Sequence, residues 1–339
     1  MKMKLLLVCL LVGQPALAAA PPARKARPLP CSQQVPERTI WPQGTLLWGT
    51  GRKVASEETS SVLVSVKLGR VQLGKAVLQS VRLEAGQLVA PPTAPQGLGG
   101  AIFQGQASDG QPVDVAVCGA EPSSEDASQV WYRIEVWNTV SESWDNPCLA
   151  TARVPSPRAL AVRGVWDGTG ARREVPGAFT FACENGAIAK CVEWGYKPWA
   201  KKDGQSLAPL HQACTRMARA DYCGDGRSHT RDDNPIDMYD SRQVLTRALE
   251  SSADWDVKRA SFEAGWTEEG ALCLSHTRDG RAVEEVLAEC PGRFEAKPLD
   301  LGEGDRCTVL RKGGRAGAAL LRNHSYGQGE QTPTRTVVP

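Results

Sequence analysis

Residues 210–240 read LHQACTRMARADYCGDGRSHTRDDNPIDMYD, and this stretch decides how the second half of the chain folds. Its first part has apolar residues at helical spacing, which predicts one face in the core: Leu210, Ala213, Cys214 and Met217. Three polar residues are expected to face away from that core: Gln212, Arg216 and Arg219. We expect the helix to start near Ser206 or Ala208, with Pro209 in its first turn, and Gly224 and Gly226 to stop it.

The amino terminus, MKMKLLLVCLLVGQPALAAA, places two lysines before an apolar run and a run of small residues. This order is typical of a secretory signal peptide, which we predict over residues 1–18. The apolar run is shorter than the roughly 20 residues that span a bilayer, and it is also too short to favour a lipid anchor at Cys9. We therefore expect a secreted or periplasmic protein with no transmembrane segment in its mature chain.

Charge is balanced once this peptide is removed. The chain has 40 basic and 38 acidic residues, and the loss of Lys2 and Lys4 leaves 38 of each. Nonspecific binding to nucleic acid depends on excess positive charge, so nucleic acid is not an expected partner.

The cysteines indicate disulfides. Discounting Cys9, an even number remains in an exported chain, which predicts five bridges among Cys31, Cys118, Cys148, Cys183, Cys191, Cys214, Cys223, Cys273, Cys290 and Cys307. Zinc or iron–sulfur clusters are disfavoured because no CxxC or CxxxC spacing occurs. A catalytic thiolate is disfavoured because it would leave a second cysteine unpaired.

The first half of the mature chain resembles an extended leader followed by a β domain. Residues 19–38 are rich in proline and basic residues. Residues 39–152 contain short alternating runs, such as 61–68 and 130–137, broken by glycine and proline. With no helical stretch between them, these runs predict an antiparallel barrel or sandwich, in which Cys118 and Cys148 form a bridge.

The second half, residues 159–308, is predicted to be a disulfide-rich α+β domain after a proline-containing joint. For residues 184–195, a hairpin turn at Asn185-Gly186 competes with a short helix capped by Asn185. We favour the helix, because it permits a Cys183–Cys191 bridge, although Cys191 could equally reach the next helix.

The remaining elements of this half are shorter. We expect a helix at Ser241–Leu249, a hairpin over 262–274 and a disordered tail from 309 to 339. Cys214 is expected to pair with Cys223, and Cys273 with Cys290 or Cys307. The Cys290 alternative would leave Cys31 to pair with Cys307.

Several long motifs resemble the ADYC-domain family of exported bacterial proteins. They are FTFAC at 179–183, KCVEWGYKPW at 190–199, HQACTRMARADYCGDG at 211–226, IDMYD at 236–240 and FEAGWT at 262–267. The tetrad that names the family stands at Ala220 to Cys223. The resemblance covers about residues 160 to 308 and implies a cysteine-rich carboxy-terminal domain. It carries no catalytic residue over, because the family has no established activity.

Residues 210–240 could support two kinds of chemistry, calcium binding or hydrolysis. Counted from Asp221, an EF-hand frame puts Asp221, Asp225 and Asp232 at calcium-ligand positions, but Cys223 occupies the third. A solvated capping loop is the competing interpretation. A hydrolase would use His211, Asp221, Asp225 and His229 as acid and base with Ser228 as nucleophile, yet neither G-x-S-x-G nor H-E-x-x-H is present.

Tryptophan is unusually frequent, with ten residues against five each of phenylalanine and tyrosine. We expect one set in the core: Trp137, Trp166, Trp194 and Trp266. We expect a second set at the surface, where it could stack on sugars or anchor proteins: Trp41, Trp144, Trp199 and Trp255. The chain is therefore predicted to be a non-enzymatic binding or structural module with no cofactor. The sequence does not identify its partner, for which a protein or a glycan of the cell envelope is a candidate. An envelope hydrolase or calcium-dependent enzyme acting through residues 211–240 is the alternative.

Overall fold

A computed structural model describes residues 27–31, 45–50, 62–230 and 234–327. The predicted signal peptide at 1–18 lies outside these ranges, as does the predicted leader except for residues 27–31. None of the described helices is long and apolar enough to cross a membrane.

The described residues form a β-rich fold with three α-helices. The strands of the first half are β1 Leu63–Lys67, β2 Val71–Leu73, β3 Ala76–Leu78, β4 Arg82–Glu84, β5 Gln87–Val89, β6 Ala101–Ala107, β7 Pro112–Pro122, β8 Val130–Asn138, β9 Ser143–Asp145, β10 Ala159–Arg163, β11 Val165–Trp166, β12 Arg172–Arg173 and β13 Ala178–Cys183. Those of the second half are β14 Lys201–Lys202, β15 Gln205–Ser206, β16 Ile236–Asp240, β17 Ser261–Thr267, β18 Gly270–Leu274, β19 Phe294–Glu295, β20 Leu299–Asp300, β21 Arg306–Cys307, β22 Val309–Arg311 and β23 Leu321–Ser325. The helices are α1 Ala187–Glu193, α2 Ala208–Arg219 and α3 Val283–Glu289, with a 3₁₀ turn at Ala316–Ala318.

Six antiparallel strands close into a barrel in the order β1, β13, β10, β8, β7, β6, because β1 pairs with both β13 and β6. The alternation read from the sequence sends every second residue inward, since strand side chains have a period of two. The interior is filled by one apolar side chain from each strand at its centre: Val66, Phe103, Val115, Ile134, Ala161 and Phe181. Of the two predicted alternatives, an antiparallel barrel or a sandwich, the barrel is the one that forms.

The barrel does not stop at the predicted domain joint. Strands β10 and β13 come from the region assigned to the second domain, and without them β1 and β8 would be left as open edges. The outward face of these two strands presents Leu160, Val162 and Ala182, which pack against Ile188 and Val192 of α1. A boundary between residues 152 and 159 therefore cuts through a closed sheet, and the predicted division at that point is wrong.

The helix alternative for residues 184–195 is confirmed by α1, but its cap differs from the expectation. Gly186 is the N-cap residue, and the Asn185 amide donates to the backbone carbonyl of Leu149 instead. Any Cβ at Gly186 would lie 2.6 Å from the backbone of Trp48 and Gly49. Glycine is required there because the two backbone segments touch.

Helix α2 starts where the sequence predicts, with Pro209 in its first turn, but it ends earlier than expected. Ala220 has a left-handed backbone with φ of 51° and terminates the helix four residues before Gly224. The helix is also buried on all sides, including its polar residues Gln212, Arg216 and Arg219. One side packs on α1, and the other packs on the second large sheet through residues such as Ala264 and Trp266.

This second sheet has six antiparallel strands in the order β16, β23, β17, β18, β22, β19. It contains the predicted 262–274 hairpin as β17 and β18. Its strand β23 lies in residues predicted to be a disordered tail, yet it pairs with β16 on one side and β17 on the other. The predicted tail is therefore wrong for these residues. The predicted helix at Ser241–Leu249 is also wrong, since the segment forms turns and irregular backbone.

The ten cysteines among the described residues all form disulfides, as their even number predicts. The five bridges are Cys31–Cys118, Cys148–Cys183, Cys191–Cys214, Cys223–Cys290 and Cys273–Cys307. Of the predicted pairings, two alternatives are confirmed, namely Cys191 with the next helix and Cys273 with Cys307. The others are wrong: Cys118–Cys148, Cys183–Cys191, Cys214–Cys223, Cys273–Cys290 and Cys31–Cys307.

Candidate functional site

The tetrad at residues 220–223 is the junction between α2 and the second sheet. Ala220 ends the helix, and Cys223 is bonded to Cys290 just beyond α3. Between them, Asp221 and Tyr222 are both buried, with exposures of 1% and 0%. Each of the four residues therefore has a defined role in joining the helix to the elements around it.

Asp221 organises the loop that follows the helix. Its Oδ1 accepts the backbone N–H groups of Gly224 and Asp225 at 2.8 and 3.0 Å. Its Oδ2 accepts the N–H of Gly226 at 3.0 Å and the guanidinium of Arg216 at 2.5 Å. A carboxylate has about four lone-pair positions. All four of those on Asp221 are used, so this side chain caps the loop from inside the protein.

The three residues of the calcium prediction are in different situations. Asp221 is enclosed as described, Asp225 is half-buried and accepts the backbone N–H of Arg227 at 3.1 Å, and Asp232 lies outside the described residues. Calcium binds six to eight oxygen ligands. Since the oxygens of Asp221 already have their partners, the capping-loop interpretation describes this carboxylate better. Calcium binding by the loop as a whole stays a prediction.

His211 is completely buried in α2. Its Nε2 lies 3.0 Å from the carbonyl oxygen of Ile188, and its ring packs edge-on against Trp166 at 5.7 Å between centroids. Burial lowers the pKa of His211 to about 3. The imidazole is therefore neutral at pH 7 and links α2 to α1 by a hydrogen bond from Nε2 to that carbonyl.

His229 is held on three sides. Its Nδ1 lies 3.0 Å from the carbonyl oxygen of Ala220, its Nε2 lies 2.8 Å from Glu289, and its ring stacks on Tyr222. Burial raises the pKa of Glu289, but hydrogen bonds from His229 and Arg281 outweigh that effect and keep the pKa below its ordinary value. Both ring nitrogens face oxygen acceptors, which suits a packing role.

The residues of the hydrolase alternative bond to other groups of the fold. The hydroxyl of Ser228 donates to the carbonyl oxygen of Arg219 at 3.1 Å. The ring nitrogens of His211 and His229 that have partners are bound to backbone carbonyls or to Glu289. A nucleophile needs a base within hydrogen-bond reach, and among the described contacts neither histidine supplies one to Ser228.

Tyr222 leads instead to a buried ionic network that the sequence interpretation missed. Its hydroxyl donates to Glu263 at 3.0 Å and accepts the backbone N–H of Arg278 at 3.1 Å. Glu263 and Arg278 are bonded at 2.8 and 3.0 Å, and both are almost completely buried. Asn323 donates to the same carboxylate at 2.8 Å and accepts the indole N–H of Trp266.

Glu263 is ionised in this network. Burial raises its pKa, but the charge and hydrogen bonds of Arg278 outweigh that effect and hold the pKa below its ordinary value. Removing one partner of a buried, hydrogen-bonded ion pair costs several kcal/mol of stability. The network therefore fixes the helix–sheet junction at one geometry.

A hydroxyl and an imidazole lie at the edge of this network. The Oγ of Ser325 is 3.0 Å from Nε2 of His276, whose pKa is lowered by burial, so the imidazole is neutral at pH 7. Ser325 is only 1% exposed, whereas His276 is half-buried. The pair has the contact of a nucleophile and its base, but the hydroxyl is closed off from solvent.

A second charged cluster lies around Asp305, which is fully buried. Its carboxylate accepts hydrogen bonds from Tyr239 at 2.6 Å, Arg322 at 3.1 Å and His324 at 3.2 Å. The other ring nitrogen of His324 lies 3.4 Å from Arg247. Both nitrogens of this histidine are thus engaged, and the cluster ties β16 and β23 to the loop before β21.

Sequence reasoning missed these residues for two reasons. Ser325 and Asn323 lie in residues predicted to be a disordered tail, because their sequence has no apolar period. Glu263 lies in the predicted hairpin over 262–274, where an acidic residue between Phe262 and Ala264 in an apolar strand is itself a sign of a buried partner.

The tryptophans divide differently from the prediction. Trp166 and Trp266 are fully buried as expected, while Trp137 and Trp194 are only partly buried. Among the predicted surface residues, Trp144 is 3% exposed, Trp199 and Trp255 are half-buried, and Trp41 lies outside the described residues. The prediction is therefore wrong for Trp144.

Comparison with known proteins gives one match. The sequence model of the ADYC domain matches residues 95–280. No curated protein and no solved structure matches the chain. The match begins inside the barrel, at a residue just before β6, and it includes α2, the tetrad, Glu263 and Arg278. It spans more than half of the sequence, and the chain therefore belongs to the ADYC-domain family.

Proposed function

We propose that this protein is an exported, disulfide-stabilised binding or structural module of the cell envelope, without catalytic activity of its own. The observation that carries the proposal is that the polar side chains of residues 211–229 form hydrogen bonds within the fold. Asp221, His211 and His229 have their hydrogen bonds inside the fold, where they join helices and loops. The segment with the richest chemistry in the sequence thus serves to build the fold.

The disulfides support the location in this proposal. Five bridges involving all ten cysteines after Cys9 fit a protein outside the cytoplasm, because thiols there are not kept reduced. Export would be tested by amino-terminal sequencing of the protein recovered from the cell envelope or medium. We expect a new amino terminus at Ala19, and retention of Met1 in a cytoplasmic protein would contradict export.

The absence of catalysis is tested by replacing His211, Asp225 and His229 together with alanine. If they are packing and capping residues, the variant should lose about 3 kcal/mol of unfolding free energy, because buried backbone groups lose their partners. If they are catalytic, stability should be nearly unchanged and hydrolysis of cell-wall fragments should disappear. The second result would overturn the proposal.

A hydrolase remains the second candidate function, and the contact between Ser325 and His276 is the observation that favours it. A fluorophosphonate probe reacts with an activated serine hydroxyl. Under our proposal the wild-type protein is not labelled. Labelling that disappears in Ser325→Ala, with unchanged circular dichroism, would establish the hydrolase instead.

The proposal includes no resident cofactor. The Asp221 carboxylate already accepts four hydrogen bonds. Extracellular calcium modules bind calcium with about millimolar affinity, so the test uses Ca²⁺ or EDTA at about 1 mM, and either should leave the melting temperature unchanged. A rise with calcium that is lost in Asp225→Asn would instead identify the loop as a metal site.

A further inference from the structure

The outer face of the barrel at β7, β8 and β9 carries an unusual group of side chains. Strand side chains alternate, so Glu135 and Trp137 of β8 point away from an interior that holds Ile134. Asp114 of β7 and Trp144 of β9 lie next to them, and the two indole rings meet edge to face at 5.6 Å. The result is an aromatic corner bordered by two carboxylates.

This corner is occupied by a segment from the start of the described chain. The guanidinium of Arg27 lies 3.9 Å from the ring centroid of Trp137 and 4.3 Å from that of Trp144. The same guanidinium forms a salt bridge of 2.6 Å with Asp114. A planar cation placed against two indole faces and one carboxylate is a recognised way to bind arginine.

The backbone of the segment is also bound. The indole N–H of Trp144 donates to the carbonyl oxygen of Pro28 at 3.0 Å, and the N–H of Cys31 donates to Glu135 at 2.6 Å. Leu29 between these points is 86% exposed. Pro28 and Pro30 keep the segment extended, and they have no backbone N–H that would need an acceptor. Proline-rich peptides dock on aromatic surfaces in the same way.

A disulfide holds this segment in place. Cys31 and Cys118 are both half-buried, whereas the cysteines of the other four described disulfides are all buried. Accessible disulfides are the ones that exchange most readily with an external thiol. The Cys31–Cys118 bridge is therefore the tether most open to reduction.

We propose that the aromatic corner is a binding site for an extended peptide with an arginine followed by proline, and that residues 27–31 occupy it in cis. This inference rests on the proposed function, since it names the ligand class of a binding module. A dithiol opens the site by giving two electrons and two protons to the Cys31–Cys118 bond. The dithiol becomes a disulfide, and two protein thiols remain. While the disulfide is intact, it keeps residues 27–31 at a high effective concentration beside the site. After reduction that segment is no longer tethered there, so a peptide from another molecule can compete with it.

The test uses a full-length variant with Arg27→Ala, Cys31→Ser and Cys118→Ser, which removes both the tether and the competing side chain. The probe is a fluorescein-labelled peptide of residues 25–32, KARPLPCS, with its cysteine replaced by serine. Fluorescence anisotropy should show binding at least tenfold tighter than for the same peptide with Arg27→Ala. Oxidised wild-type protein should bind the probe at least tenfold more weakly than the variant does.

Two matched changes locate the site. Asp114→Asn, at a half-exposed position that should not affect folding, is expected to weaken binding several-fold, and Trp137→Ala should abolish it. The inference is overturned if the untethered variant melts like the wild type but does not bind the probe. It is also overturned if both peptides bind equally. Neither result bears on catalysis, which the fluorophosphonate experiment tests separately.

Discussion

The burial of His211 makes stability depend on pH in a way that can be calculated. In the unfolded chain an exposed imidazole has a pKa of 6.5, whereas burial lowers the pKa of the folded residue to about 3. Between these values the unfolded chain binds a proton that the folded protein excludes. Stability is therefore highest above pH 6.5 and falls as the pH is lowered towards 3.

The size of the effect follows from the difference in pKa. One unit corresponds to about 1.4 kcal/mol, so this single residue should cost about 2 kcal/mol at pH 5 and about 3.4 kcal/mol at pH 4, relative to neutral pH. His211→Gln keeps an amide that can donate to the carbonyl of Ile188 but cannot be protonated. The variant should lose this part of the acid sensitivity, whatever its stability at pH 7.5.

The assay is urea denaturation of both proteins from pH 7.5 to pH 4. Carboxylates also titrate there, so the measured quantity is the difference between wild type and variant at each pH. Gln205→His is the control, because it adds an imidazole at an exposed position and should leave the slope unchanged. Parallel curves for the wild type and His211→Gln would refute the reasoning.

Three further substitutions test the tetrad and its loop by urea denaturation at pH 7.5. Asp221→Asn should cost about 3 kcal/mol, because the buried Arg216 keeps its charge and loses its anionic partner. Tyr222→Phe should cost about 1 to 3 kcal/mol, since the buried carboxylate of Glu263 loses a donor. Gly224→Ala should cost about 2 kcal/mol or more, because φ is +74° and the new Cβ would meet a backbone carbonyl oxygen at 1.7 Å.

Matched controls separate these causes. Asp225→Asn changes a half-buried carboxylate of the same loop and should cost about 0.5 kcal/mol or less. Gly313→Ala has nearly the same φ, +75°, but nothing lies within 4 Å of its new Cβ. It should therefore be milder than Gly224→Ala, and equal losses would show that the close contact across the loop has no energetic role. Unchanged stability in Tyr222→Phe would contradict the importance of the buried network.

The features that were predictable from sequence are those set by the local spacing of apolar residues or by the even number of cysteines. The spacing from Leu210 to Met217 predicts α2, and the alternation along residues 61–68 and 130–137 predicts the strands β1 and β8, each with one buried face. The even number of cysteines predicts five bridges. The choice of partners among them depends on which strands and helices lie side by side in space, and spacing along the chain does not contain that information.

The features that were missed are stabilised by polar contacts. Strand β23 buries Asn323 and Ser325, and it is held in the sheet by bonds to Glu263, Trp266 and His276, so its sequence lacks an apolar period. Helix α2 ends at an alanine in a left-handed conformation. The carboxylate of Asp221 accepts the backbone N–H groups of residues 224–226 in the loop that follows, and the two glycines of that loop gave a misleading stop signal.

The position of β23 within its sheet affects how the protein can be made and divided. It lies between β16 and β17, although it follows both by more than fifty residues in the chain. During synthesis, the edges of β16 and β17 that pair with β23 stay unpaired until β23 has left the ribosome. The sheet is therefore completed late. Likewise, a recombinant fragment cut at residues 95 and 280, the borders of the family match, would lack the strand that closes the barrel and the one that joins the sheet. Expression trials should therefore keep residues 27 to 327 together, which also retains the Cys31–Cys118 bridge.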